Sequence, residues 1–239
     1  MVTTKQKVIG WIRALRPKFL VSYVILGIGG VMIGINNVEN QLNIGLLVLS
    51  FSIIILAGIG VHYRDEASDW IAGYDKESGG VGVIREGILE VKSLQIVGRL
   101  LTIIALGLAI LHAFLVWQLV YIIIPIAFVI LMSNYITEKV SLGHEIAPAF
   151  AYSMALLWVF MGQGWVVKFS TLWFVIFAFL LVLALVPYQD VGDYEADLKT
   201  GKKTLAVKLG IDAVGQLSIL IAVISLIFLY LSIFTLTIS

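Results

Sequence analysis

The sequence predicts an all-α integral membrane protein, a bundle of about seven transmembrane helices arranged as two pseudo-repeated halves around a lipid-accessible cavity. The composition predicts that the protein is embedded in a membrane. Of 239 residues, 60% are hydrophobic and only 13% are charged, and the mean hydropathy is +1.03. A soluble domain of this size has about 25% charged residues, so the deficit indicates a protein whose solvent is lipid. There are no cysteines and the net charge is +1, which excludes Cys-ligated zinc and gives no basic field for nucleic acid.

Seven apolar stretches approach the ~20 residues that a helix needs to cross a bilayer. The third and fourth stretches almost touch near Val116 and Trp117, which predicts a tight helical hairpin. We read the whole chain, residues 1–239, as a single polytopic domain. The predicted spans are 19–35, 44–61, 95–115, 117–133, 146–163, 171–187 and 213–237.

The distribution of charge predicts the orientation of these spans. With the N-terminus in the cytoplasm, every Lys and Arg except Lys168 falls on the cytoplasmic side, as expected for a multi-pass membrane protein. Most of the acidic residues lie in two of the cytoplasmic segments, 62–94 and 188–212. The polar chemistry of the protein is therefore expected at the cytoplasmic face.

The two acidic segments share one pattern. The first has Asp65 and Asp69 followed by Gly73, and the second has Asp193 and Asp197 followed by Gly201, with identical spacing. Four predicted spans separate them, so both copies face the same compartment. This arrangement predicts two parallel half-bundles.

Aspartates four residues apart lie on one face of a helix and repel each other unless a cation is bound. Mg²⁺ suits such ligands, because it takes one or two carboxylates and completes its shell with water and phosphate oxygens. Two facing pairs would hold two Mg²⁺ ions and a diphosphate, nearby basic side chains would neutralise the remaining charge, and the apolar bundle would accept a hydrocarbon tail. The alternative is that these carboxylates are solvated interfacial acids.

Segment 190–210, DVGDYEADLKTGKKTLAVKLG, closely resembles the second acidic signature of the UbiA superfamily of intramembrane prenyltransferases, D-x-x-D-x-E-x-D followed by G-x-K-T-L-x-V-x-x-G. The Leu15-Arg16-Pro17 entry to the first span and the Tyr135-x-x-x-Lys139 pattern also look like this family. Residues 79–87, GGVGVIREG, are similar to the branch that prenylates dihydroxynaphthoate in menaquinone synthesis. The family's first signature, N-D-x-x-D-x-x-x-D, is altered here because Val61-His62 replaces its leading Asn-Asp.

This resemblance, which covers residues 11–210, implies a helical bundle that transfers an isoprenoid from a polyprenyl diphosphate to a usually aromatic acceptor with Mg²⁺. The family typically has nine spans, whereas seven are predicted here. By resemblance, Asp65 and Asp69 would hold one Mg²⁺, and Asp193 and Asp197 the other with support from Asp190. The residues expected to contact the diphosphate are Arg16, Tyr135, Lys139 and Lys202.

Other interpretations remain open. Arg16 equally suits membrane anchoring, and Tyr135 equally suits an interfacial aromatic belt. Lys202 and Lys203 suit membrane anchoring better than ligand binding. Glu66 and Glu195 are expected to be solvated, His112 to be packed in its span, and His144, beside Glu145, to lie in a solvated loop or act as a base. A membrane terpene cyclase would use the same diphosphate site, and a non-catalytic or partner-dependent prenyl-lipid binding protein also fits. A transporter is disfavoured, because the charges lie at the ends of the spans and not at the bilayer midplane.

Overall fold

The computed structural model describes residues 2–36, 41–76, 80–132 and 142–238, and all regular structure within these ranges is helical. This confirms the predicted all-α class. A 3₁₀ turn, Leu119–Ile122, lies between α4 and α5. The helices are α1 Thr4–Ala14, α2 Pro17–Ile35, α3 Ile44–Ala72, α4 Val91–Leu115, α5 Ile123–Leu131, α6 Gly143–Met161, α7 Phe169–Asp190, α8 Tyr194–Thr200, α9 Leu205–Leu209 and α10 Ile211–Ile238.

Six helices in the described part of the chain are long and apolar enough to cross a membrane: α2, α3, α4, α6, α7 and α10. The protein is therefore a multi-pass membrane protein, with six such helices where about seven spans were predicted. The difference falls in the predicted span 117–133. Trp117, in a left-handed conformation (φ 54°), marks the turn predicted after α4. A 3₁₀ turn of four residues then precedes α5, which has nine residues.

The long helices pack against one another in pairs. Helix α3 packs along α4, α7 packs along α10, and α2 packs along α6. Gly60 of α3 and Gly98 of α4 mark one close crossing, because a Cβ on either glycine would lie 2.8 Å from the carbonyl oxygen of the other. Small residues permit such close approach of helices in membranes. Helices α2, α3, α6 and α7 all contribute residues to the large cavity inside the bundle.

Helix α1 precedes the bundle and holds the loop of residues 80–89 against it. Its Val8, Ile9 and Ile12 are exposed on one side, while Arg13 forms two hydrogen bonds to the Glu86 carboxylate (2.7 and 2.8 Å) and a third to the Val81 carbonyl. Residues 80–89 are thereby fixed at the end of the bundle where α3 finishes. We refer to this end, which also contains α8 and α9, as the acidic end.

Candidate active site

The first acidic segment lies in the last turns of α3. Asp65 and Asp69 are within the helix, and Gly73 ends it with φ 92°. The backbone N–H groups of Gly73 and Tyr74 both donate to the Asp69 carbonyl at 3.0 Å, which is the usual way that a glycine in the left-handed conformation closes a helix.

The second acidic segment repeats this ending in a different helix. Gly201 ends α8 with φ 71°, and its N–H donates to the Asp197 carbonyl. The Lys202 N–H donates to the same carbonyl at 3.0 Å. The sequence repeat is thus a repeated helix ending, and it places Lys202 where the first segment has Tyr74.

A cavity of about 800 Å³ opens between α2, α3, α6 and α7 and the α8–α9 segment at the acidic end. Charged and polar side chains surround its mouth, and apolar and aromatic side chains form its inner part. Within the described residues, its lining is Arg16, Lys18, Phe19, Tyr23, Val61, His62, Asp65, Asp69, Tyr74, Met132, Leu142, His144, Glu145, Pro148, Tyr152, Val186, Gln189, Asp190, Asp193, Gly201, Lys202, Lys203, Thr204 and Lys208.

Arg16 links α2 to the first acidic segment. Its guanidinium lies 2.9 Å from a carboxylate oxygen of Asp65 and 3.3 Å from one of Glu66. Burial alone would lower the pKa of Arg16, but Asp65, Glu66 and Asp69 outweigh it and hold the pKa above its ordinary value. Arg16 itself has φ 49°, a conformation that costs a non-glycine residue about 1–2 kcal/mol. The surrounding ion pairs offset this cost and fix the guanidinium at the cavity wall.

Lys202 belongs to the second acidic segment and interacts with carboxylates of both segments. The partial burial of its ammonium group acts to lower its pKa, but the carboxylates of Asp69, Asp197, Asp65 and Asp190 raise it. The lysine is therefore cationic at neutral pH, and carboxylates of both repeats contribute to its field. Its nitrogen also lies 5.7 Å from the centroid of the Tyr74 ring.

His144 and Glu145 line the cavity from the start of α6. The His144 Nε2 lies 3.3 Å from Asp190 Oδ1, while the other Asp190 oxygen is buried and has no hydrogen-bond partner among the described residues. Glu145 is buried and accepts a hydrogen bond from the Leu205 N–H at 2.8 Å. Glu145 thus attaches α9 to α6. His144, expected in a solvated loop or as a base, lies in a helix and contacts a carboxylate.

Asp197 is placed differently from the other predicted metal ligands. The cavity is lined by the other four predicted metal ligands, Asp65, Asp69, Asp190 and Asp193. It is also lined by Arg16 and Lys202, which are expected to contact the diphosphate. Asp197 does not line the cavity, and its side chain is 7% exposed beside Thr204. Burial raises the pKa of Asp197 despite the opposing effect of Lys202. Tyr135 and Lys139 lie outside the described residues.

His62 occupies a position where the first UbiA signature, which this segment resembles, has an aspartate. It is buried, lines the cavity and lies beside the Phe19 ring, with 5.5 Å between ring centroids. Its Nε2 has no hydrogen-bond partner among the described residues. Imidazole is a poorer ligand for Mg²⁺ than oxygen, so the first acidic segment offers fewer oxygen ligands than the signature it resembles.

A second layer of carboxylates behind the cavity was not foreseen from the sequence. Glu66, expected to be solvated, is 2% exposed and accepts hydrogen bonds from Arg16 (3.3 Å) and from the Val81 N–H (3.2 Å). Asp75 is also buried, and its backbone carbonyl accepts a hydrogen bond from Arg85 at 3.0 Å. In the sequence, this burial is indicated by the glycines of the loop that follows α3. Gly80, Gly82 and Gly87 all have positive φ, and they let the loop turn tightly over Glu66.

The donor set fits Mg²⁺ only in combination with an anionic ligand. The described residues contain no cluster of three or more His, Asp or Glu side chains that would enclose a metal by themselves. They do offer Asp65, Asp69, Asp190 and Asp193 around one cavity, including a buried Asp190 oxygen without a partner. Mg²⁺ commonly uses one or two carboxylates and takes its other ligands from water and phosphate, which is the donor set present here.

Neither protein-family models nor curated proteins match this sequence. Solved structures do match the fold. A UbiA homolog from Archaeoglobus fulgidus bound to GPP and Mg²⁺ has a TM-score of 0.73 and 17% identity, over 95% of this chain and 78% of that one. A structure of a UbiA homolog from the same organism bound to DMAPP and Mg²⁺ has a TM-score of 0.65 and 17% identity, over 95% of this chain and 86% of that one. The chain therefore has the fold of UbiA homologs, which confirms the fold implied by the resemblance.

Proposed function

We propose that this protein catalyses Mg²⁺-dependent transfer of an isoprenoid chain from a prenyl diphosphate to an aromatic or other lipid-quinone precursor within the membrane. One observation carries the proposal: a single cavity joins carboxylates of both acidic segments and two fixed cations to an apolar, aromatic interior. The fold shared with UbiA homologs solved with GPP or DMAPP and Mg²⁺ supports the same chemistry.

The charge of the cavity supports a requirement for a divalent cation. Among the described lining residues there are five basic side chains and five carboxylates, so the lining itself is close to neutral. A diphosphate would add several negative charges to this low-dielectric site. The basic residues are Arg16, Lys18, Lys202, Lys203 and Lys208, and the acids are Asp65, Asp69, Glu145, Asp190 and Asp193. When bound by Asp65, Asp69, Asp190 and Asp193, Mg²⁺ would supply the missing positive charge and polarise the diphosphate oxygens.

Arg16 and Lys202, which both line the cavity, would stabilise the leaving group. As the allylic C–O bond breaks, its electron pair passes to the diphosphate oxygen, and fixed cations in a water-poor site stabilise that developing charge. The apolar interior would keep water from the allylic cation. An electron-rich atom of the acceptor then forms the new bond and releases a proton.

His144 is the best-placed group to take that proton. It lines the cavity and its Nε2 contacts Asp190, an arrangement typical of an oriented general base. The positive-inside distribution of Lys and Arg supports a cytoplasmic N-terminus and a cytoplasmic active site. The glycine-rich segment 79–87 favours dihydroxynaphthoate-like acceptors within this class.

The test uses purified protein with radiolabelled geranyl diphosphate, Mg²⁺ and a panel of aromatic acceptors, and it records both labelled lipid and released diphosphate. The decisive variant is Asp69→Ala/Asp193→Ala, which removes one lining carboxylate from each repeat. The matched control is Glu195→Ala/Asp212→Ala, which removes two exposed carboxylates that do not line the cavity.

Mg²⁺-dependent product that the control retains and the site variant loses would establish the transferase. Diphosphate release without any acceptor would instead indicate a cyclase or a hydrolase. If the intact protein binds labelled diphosphate but neither releases diphosphate nor forms product, the protein is a prenyl-lipid binding relative and the proposal fails.

A further inference from the structure

Two arginines meet where α3 and α4 cross, outside the cavity. Arg64 of α3 is half-buried, Arg99 of α4 is exposed, and neither of them lines the cavity. The stem of Arg64 lies across Gly98, where an added Cβ would be 2.9 Å from the Arg64 Cγ. Gly98 directly precedes Arg99, and Arg99 is the charged group that acts most strongly on the Arg64 guanidinium. The helix crossing therefore holds two like charges together.

No carboxylate neutralises this pair within the part of the chain that the structure describes. Neither arginine forms an ion pair there, and the Arg64 Nε is buried without a hydrogen-bond partner. Asp65, which follows Arg64, instead lines the cavity and pairs with Arg16.

The positions around the two arginines on their own helices are also free of charge. Residues three and four positions apart share a helix face, so these positions would supply the nearest partners. On the two helices they are Gly60, Val61, Ala67, Ser68, Gln95, Ile96, Thr102 and Ile103. The pair thus has a positive charge that calls for an anion from outside the two helices.

The height of Arg64 in the bundle indicates where that anion comes from. Arg64 lies about 30 Å along α3 from its first residue, which matches the thickness of the hydrocarbon layer. A long basic side chain at this depth extends its charged group towards the lipid headgroups. Further along α4 from Arg99, the side chains of Leu100 and Ile103 are exposed. The arginines therefore lie at the level of lipid phosphates, next to an apolar surface that suits an acyl chain.

A phosphate group fits this pair for chemical reasons. A guanidinium is planar and always charged, and its N–H groups form paired hydrogen bonds with phosphate oxygens. The unpartnered Nε of Arg64 supplies one such donor. A zwitterionic lipid brings a cation of its own, which the two arginines would repel, whereas an anionic lipid adds only negative charge.

We propose that Arg64 and Arg99 bind the phosphate group of an anionic membrane lipid at the surface of α3 and α4, in a site separate from the cavity. This site does not depend on the proposed transferase activity. It gives the two arginines a specific ligand, beyond the general preference of basic residues for the cytoplasmic face.

The experiment measures lipid binding to the purified protein by native mass spectrometry, with phosphatidylglycerol and phosphatidylcholine of identical acyl chains as probes. It compares the intact protein with Arg64→Gln/Arg99→Gln. The matched control is Lys5→Gln/Lys7→Gln, which removes two exposed basic side chains of α1. Thermal unfolding establishes that each variant is folded. If the double arginine variant does not fold, Arg99→Gln, which changes only the exposed arginine, takes its place.

The intact protein should bind one phosphatidylglycerol at least about tenfold more tightly than phosphatidylcholine, since each basic residue near an anionic lipid contributes roughly fivefold in affinity. The arginine variant should lose this preference and the lysine variant should keep it. Equal binding of the two lipids to the intact protein overturns the inference. So does an equal loss of preference in the two variants, because it would show a response to overall charge alone.

Two competitors test where the lipid is bound. Geranyl diphosphate with Mg²⁺ should not displace phosphatidylglycerol, because neither arginine lines the cavity. Inorganic phosphate should not displace it either, because it has no acyl chain to contact Leu100 and Ile103. Displacement by the first would show that the lipid occupies the cavity, and displacement by the second would show a site for free phosphate. Either result overturns the inference and leaves the proposed function unaffected.

Discussion

The ammonium nitrogen of Lys202 lies 5.7 Å from the centre of the Tyr74 ring, and the two residues occupy equivalent positions in the two acidic repeats. Each follows a glycine that ends a helix and donates its N–H to the carbonyl of an aspartate. A cation within about 6 Å of an aromatic centroid is attracted by the ring's π face. The two halves of the protein thus meet across the cavity mouth through one cation and one ring.

Lys202→Gln should weaken binding of geranyl diphosphate by roughly 10- to 100-fold, because a partly buried charge-assisted contact to phosphate contributes more than an exposed one. Binding is measured by competition in detergent at constant salt. Lys199→Gln, which removes an exposed lysine of the same segment, should change affinity less than about twofold. Equal losses in the two variants would show that Lys202 acts only through the general surface charge.

Replacing Arg16 should destabilise the fold as well as reduce binding. Arg16→Gln leaves the carboxylate of Glu66, 2% exposed, without its counter-charge, and breaking a buried pair in this way costs about 3–5 kcal/mol. The double variant Arg16→Gln/Glu66→Gln should recover part of the stability but not the diphosphate affinity. Thermal unfolding gives the first quantity and ligand competition the second. Arg13→Gln, whose pair with Glu86 is largely exposed, should cause a smaller loss, and a loss as large as that of Arg16→Gln would contradict this assignment.

The stability of the protein should decrease as the pH rises from about 4 to about 6, because Asp75 loses its proton in this range. Burial, followed by the nearby Glu66 carboxylate, raises the pKa of Asp75 from 3.8 to about 6. A carboxyl with a raised pKa in the folded state contributes its stability below pH 3.8, and that contribution is lost as the pH rises through about 6. Asp75→Asn should therefore be more stable than the intact protein at pH 7.5, by roughly 1–2 kcal/mol after solvent screening is allowed for.

The measurement for Asp75 is thermal unfolding in detergent at pH 4.5 and pH 7.5. The advantage of Asp75→Asn should shrink at the lower pH, where the carboxyl of the intact protein is protonated. Glu90→Gln changes an exposed acid near the same loop and serves as the control. A constant difference between Asp75→Asn and the intact protein at both pH values would show that the effect is not one of titration.

Gly162 should resist substitution for steric reasons. A Cβ at this position would lie 2.5 Å from the Tyr121 hydroxyl oxygen, 2.7 Å from the His112 ring and still closer to the Ser50 hydroxyl. His112 is packed as expected, fully buried with its Nε2 2.9 Å from the Gly162 carbonyl. Gly162→Ala should cost about 1–3 kcal/mol by overpacking. Gly107→Ala, at a helical glycine with open space around it, should be neutral or stabilising on the same thermal assay.

The features that sequence could predict are those set by local physics. Apolar length indicated most of the spans, and the acidic repeat was visible because Gly73 and Gly201 each end a helix four residues after an aspartate. The predicted span 117–133 shows the limit of that approach, because hydropathy cannot reveal that Leu119–Ile122 forms a 3₁₀ turn and not α-helix.

The remaining features depend on tertiary packing. Glu66 resembles any solvated acid in the sequence, and only the loop over it makes it buried. Asp197 matches a metal-binding signature, but its side chain packs beside Thr204 outside the cavity lining. The stack of Tyr23 on Tyr152 joins helices far apart in the chain, and no local pattern specifies it.

The length of α3 has a consequence for the lipid that surrounds the protein. Its 29 residues rise about 43 Å, against a hydrocarbon thickness of about 30 Å. Asp65 lies roughly 31 Å from the start of the helix and Asp69 about 6 Å beyond it, so the first carboxylate sits near the hydrocarbon boundary. Hydrophobic mismatch would then change the affinity of the site. In vesicles of increasing acyl-chain length, the hydrocarbon layer would extend past Asp65, exclude cations from it and lower the affinity for Mg²⁺ and diphosphate together.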